Sequence, residues 1–189
     1  MKSVLISIKP RWCELIASGI KTVEVRKTRP KLETPFKVYI YETMGLYKSS
    51  GGYLFNGRGK VIGEFVCSKI DFHSISELVV REDAEYALRG TCITKGDMLD
   101  YLHYKKGENI YAQSYFFYGW HISSLVIYDN PRKLSEFKQV RKIRGYHKKD
   151  EPKKEGINIQ RILHSSRVEV KYFTRPPQSW AYTESEGAE

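Results

Sequence analysis

The chain has 189 residues, 41% of them apolar, a formal charge of +10 and three cysteines, Cys13, Cys67 and Cys92, in no paired spacing. These values exclude a disulfide framework and a C-x-x-C zinc site, and they leave one domain enough apolar material for a core. No apolar run reaches the length of a membrane span, and the start MKSVLISIKPRW is charged too soon for a secretory signal, so a cytoplasmic protein without membrane contact is expected.

In chain order, Ser3–Ile8 reads as a buried strand. Pro10 then opens a short helix that Gly19 closes, with Trp12, Leu15 and Ile16 sharing a face. TVEVR, residues 22–26, is a second strand and KVYIYETM, residues 37–44, a third. A glycine-rich stretch with a hairpin turn at Asn56-Gly57 feeds the strand KVIGEFVCSKI, residues 60–70. NGRGK lacks the rest of a phosphate loop, because Val61 follows Lys60. Ser74 and Glu77 have capping-box spacing and predict a helix from there, and Thr94 caps another. YFFYGWHISSLVIYD is a strand closed by a turn at Asp129-Asn130-Pro131, and PRKLSEF a turn or single helical turn. Residues 138–166 are charged and aperiodic and read as a basic inserted loop or arm. RVEVKYF returns to strand, TRPPQSWAY closes the domain in extended form, and residues 183–189 form an acidic tail. The domain therefore comprises 1–137 plus 167–182, and the order of elements predicts an α+β unit around a strongly bent sheet or small barrel.

Charge is uneven: residues 1–31 carry +6, 32–137 carry −1, 138–172 carry +7 and 173–189 carry −2. Two basic segments accompanied by aromatics and glycines suit an acidic partner such as nucleic acid. In SGIKTVEVRKTRP, strand alternation puts Thr22, Glu24 and Arg26 on one face and Val23 and Val25 on the other, so the charges occupy an outward face while the valines meet a core. Lys21 suits phosphate, Arg26 a planar bidentate contact, and Glu24 either a base amino group or the orientation of Arg26. Lys9 and Arg11 add charge at the helix entrance, Trp12 offers a ring to stack on, and His121 a proton donor or a base-reading group. The other histidines, His73, His103, His147 and His164, have no metal-site spacing, and no cofactor is expected.

The run from Gly19 to Arg26 reads G-x-K-x-x-E-x-R and, following a strand and short helix, resembles the hallmark of the ASCH domain family within the PUA-like superfamily. KVIGEFVC and YGWHISSLVIYDNPRKLSEF are similar to that family's later strands, and the whole is most similar to its bacterial and phage members. The resemblance implies a small β-barrel of about six strands, with a short helix after the first strand, further helices and a cleft beside the first helix. That cleft would take RNA, a nucleotide or a modified base, DNA also fitting. Lys9, Arg11, Trp12, Lys21, Glu24, Arg26 and His121 are the candidate nucleic-acid contacts. One branch of the family removes the acetyl group from N4-acetylcytidine with the motif lysine and a threonine three residues on. Here the lysine is Lys21, Glu24 holds the threonine's place, and Thr22 lies nearby; Lys21, Thr22 and Glu24 are the catalytic candidates of that hydrolase alternative. A third reading, a protein-interaction module of phage origin, rests on the basic arm. Oligomeric state is not legible in the sequence.

Overall fold

In the computed structural model, residues 2–48, 52–79, 84–105, 115–148 and 162–184 are described. Strand β1 (Lys2–Ile8) leads into α1 (Pro10–Ala17), then β2 (Val23–Arg26) and β3 (Phe36–Glu42). A small hairpin, β4 (Gly45–Lys48) with β5 (Leu54–Gly57), precedes the long strand β6 (Val61–Ser74). Helices α2 (Ile75–Val79), α3 (Ala84–Leu88) and α4 (Lys95–Leu102) follow, then β7 (Phe116–Arg132), β8 (Lys138–Lys148), β9 (Ile162–Tyr172) and β10 (Trp180–Glu184).

Eight strands form one sheet in the order β2-β7-β6-β3-β1-β10-β8-β9, and β4 pairs only with β5. The β1–β3 pair is parallel and the other neighbours are antiparallel. The expected barrel of about six strands is corrected here: the sheet has more strands and does not close, its ladder ending at β2 and β9. It nonetheless curls until β2 lies beside the end of β1, where the Arg26 guanidinium donates through Nη2 to the Ser7 carbonyl at 2.6 Å. A side chain thus spans the seam where a barrel would have a ladder. The outer edge of β2 is also blunted without a partner strand: Gly90 O accepts from the backbone N–H of both Thr22 and Val23, and Lys21 Nζ donates to Val23 O.

Both faces of the central strands are buried. Val4, Ile6 and Ile8 of β1 join Val38 and Ile40 of β3, Phe65, Trp120 and the α1 residues Cys13 and Ile16 in one cluster. Leu5, Tyr39, Tyr41 and Val61 face the other way, against Phe137 and Phe173. A third cluster seats α2, α3 and α4 on Val25 and Phe117. Burial of this apolar surface on both sides is the main force holding the curl.

Three local expectations change. Asn56-Gly57 does not turn the chain but ends β5, where Gly57 is required because a Cβ would collide with the Thr43 carbonyl. Asp129-Asn130-Pro131 does not end the strand; β7 runs on to Arg132, its pairing with β6 accommodated by register shifts. Residues 138–148, aperiodic in sequence, form β8, whose partner β9 supplies a ladder from Lys138↔Tyr172 to Lys148↔Ile162. The rest of the arm, 149–161, and the tail beyond 184 lie outside the described residues.

Candidate functional site

The site begins where α1 stops. Gly19, at φ +74°, turns the chain in a conformation that suits glycine, and Lys21 N donates back to Leu15 O at 2.8 Å. This turn drives the Lys21 side chain inward. Only 2% of Lys21 and 5% of Glu24 is exposed, so the outward face that strand alternation predicts is not open surface; it faces the seam of the curled sheet. Lys21 Nζ donates to Thr91 O at 2.6 Å and Val23 O at 2.8 Å, and lies 3.4 Å from Glu24 Oε2. An ammonium has three protons, and these three acceptors account for them. Burial pushes the Lys21 pKa below its ordinary value, with Glu24 pulling the other way.

Glu24 also reaches Arg26, its Oε1 lying 2.9 Å from Nη2. Nη2 uses one proton there and one on Ser7 O. Arg26 Nε is buried and has no partner among the described residues. The guanidinium is thus fixed through Nη2, while one of its buried donors is left unpaired.

These groups line a cavity of about 570 Å³, within the usual range for small-molecule sites of about 300–1,000 Å³. It gathers Lys9, Arg11, Trp12, Lys21, Glu24 and Arg26, six of the seven expected nucleic-acid contacts. Trp12 is half-buried, its ring centroid 4.8 Å from Arg11 Cζ and 5.1 Å from Lys21 Nζ. The remaining walls were not legible from spacing. Tyr47 comes from the β4–β5 hairpin, Asp97 and Tyr101 from α4, and Pro176, Pro177 and Gln178 from the segment before β10. Tyr101 lies under Lys27 Nζ at 5.0 Å, and burial raises its pKa. Thr43, whose buried Oγ1 also has no partner among the described residues, lines this cavity too. Of these, the sequence marks only the prolines, within the extended close of the domain.

Two candidates lie elsewhere. Thr22, one residue before the β2 ladder begins, turns to a second cavity of about 290 Å³ shared with Val23, Lys69, Asp71, His73, Tyr86, Arg89 and His121. His121 pairs with Asp71 there, Nε2 to Oδ2, at 2.7 Å. The hydrolase trio is therefore divided between two cavities, Lys21 and Glu24 in one and Thr22 in the other. Among the described residues no three His, Cys, Asp or Glu side chains gather into a metal-ligand group, and no helix is long and apolar enough to cross a membrane.

Fold and site together define a mixed α+β protein with a basic, aromatic-lined cleft at the seam of a curled open sheet. The chain belongs to the ASCH domain family, whose family model, the ASCH domain, matches residues 6–165. No curated protein matches it. Among solved structures it is similar to an ASCH protein of Zymomonas mobilis, with 20% identity over 70% of this chain and 73% of that one and a TM-score of 0.48. A tyrosine-to-phenylalanine mutant of that protein gives 20% identity, 71% and 77% coverage and the same TM-score of 0.48.

Proposed function

We propose that the protein binds RNA or a nucleotide, taking one base or modified base into the cleft beside α1. The observation that carries this reading is Arg26: a guanidinium locked by Glu24 and Ser7 on the wall of a cavity with three aromatic rings. A flat, acceptor-bearing ligand answers both features, because the rings stack on it and the guanidinium donates to it. Lys9 and Arg11, at the mouth, supply the sequence-independent attraction to phosphate. Lys21 holds Glu24, which holds Arg26; its role is to position, since its own protons are already bonded within the chain. A cytoplasmic setting fits three free thiols.

Binding of nucleoside monophosphates and single-stranded RNA, followed by fluorescence, tests this. Arg26→Ala is expected to weaken binding about tenfold or more, the worth of a charge-assisted bond in a desolvated site. Affinity equal to wild type in that variant sinks the reading. The hydrolase alternative is favoured by one observation, the burial-depressed pKa of Lys21 within the cavity. Release of acetate from N4-acetylcytidine by the intact chain, abolished in Lys21→Gln, would turn the proposal toward it.

A further inference from the structure

The second cavity contains groups that the first does not use. In β6 the pairing with β7 slips between Cys67 and Ile70, so Ser68 and Lys69 both lie opposite His121. This is a bulge, a device that redirects side chains. Its result is a chain of polar contacts on one face: Lys69 Nζ to Asp71 Oδ1 at 2.7 Å, and His121 Nε2 to Asp71 Oδ2 at 2.7 Å. Burial alone would raise the Asp71 pKa, but the hydrogen bonds from Lys69 and His121 hold it below its ordinary value, so the carboxylate stays charged and fixes both neighbours. Arg89 stands exposed on the same cavity with no ionic partner among the described residues, and Thr22 lines it. Tyr86, 65% exposed, meets His73 edge-on at its rim.

We propose that this cavity is a phosphate-binding site, with Arg89, Lys69 and the Thr22 hydroxyl as donors and His121 as the group that Asp71 aims. Each oxygen of the single carboxylate lining the cavity already accepts from a neighbour, Lys69 on Oδ1 and His121 on Oδ2, so it orders both donors. Two permanent cations against one carboxylate leave the cavity positive. Its 290 Å³ suits a phosphate with part of its sugar better than a stacked base with its nucleotide. The phosphate has two sources, a free monoester or a diester in a nucleic-acid strand. The diester source rests on the cleft reading above: Thr22, just before β2, and Glu24 within it are two residues apart, about 7 Å along extended chain, so one strand of nucleic acid can be held from both cavities.

The test is histidine-ring NMR on the full chain, with the His121 signal assigned through His121→Gln. The chain is titrated with inorganic phosphate, a nucleoside 5′-monophosphate and single-stranded RNA. A saturating shift of the His121 ring is expected, half-complete at about 1 mM or below, and weakened about fivefold by Arg89→Gln or Lys69→Gln. Response to inorganic phosphate and the monophosphate identifies a monoester site; response to RNA alone identifies a diester site. No saturable shift with any of the three overturns the proposal, as does a shift unchanged in both variants. Both substituted side chains are exposed, and an unchanged denaturation midpoint confirms the fold. Arg26→Ala separates the two readings: RNA binding left intact by Arg26→Ala but weakened by Arg89→Gln removes the cleft reading and keeps this one.

Discussion

Lys21 shows how a charge that looks like a ligand contact becomes part of the frame. Its ammonium is buried on two carbonyls and a carboxylate from three points of the chain, and it joins β2 to the loop after α3. Removing it leaves Glu24 and two carbonyls underbonded in a dry place. Lys21→Met is therefore expected to lower unfolding free energy by about 3–5 kcal/mol, read by denaturant titration. The double variant Lys21→Met with Glu24→Gln should lose less than the sum of the two single variants, because both changes act on one ion-pair network. Additive losses would show that the two side chains act independently. The motif residues are legible in sequence, but not this division of labour. A lysine at a helix–strand junction reads as exposed until the position of Thr91 is known.

Among the elements, β2 matters most. It is four residues long, an edge strand, and carries the motif, yet its free edge is covered by the loop around Gly90 and by the Lys21 side chain. Gly90 sits at φ +73°, and a methyl there would collide with the Thr22 hydroxyl. Gly90→Ala is expected to cost about 1–3 kcal/mol, from strain at positive φ and displacement of Thr22. Because Thr91 O moves with that loop, the variant should also loosen Lys21, measurable as faster amide exchange across β2. A stability equal to wild type would show that the loop does not clamp the strand. The helix α1 and its glycine stop were readable from proline, periodicity and Gly19. The strand β8 was not, because scattered charges give no period, and it forms on the ladders that β9 and β10 offer.

For the whole molecule, the charge of +10 acts through its placement. The N-terminal basic segment supplies four cations to the first cavity, Lys9, Arg11, Lys21 and Arg26. Of these, Lys21 is fully bonded and Arg26 partly so, which under the proposed function leaves Lys9 and Arg11 for a phosphate backbone. RNA affinity is accordingly expected to fall linearly on a log–log salt plot, and Arg11→Ala to reduce that slope by about one. A slope unchanged by Arg11→Ala would place the phosphate contacts elsewhere on the molecule, with the basic strands β8 and β9 the next place to look.

By itself the sequence determined the local units: the first strand, the proline-started helix, the G-x-K-x-x-E-x-R segment with its face of Glu24 and Arg26, and a basic chain fit for an acidic partner. These follow from propensity, period and charge, which act over a few residues. Only the tertiary structure decided that the sheet curls without closing, that Tyr47, Asp97 and Tyr101 complete the cleft, and that Thr22 and His121 belong to a different hollow. Those outcomes depend on which distant segments share a face when apolar surface is buried, and nothing in the local spacing of residues records that choice.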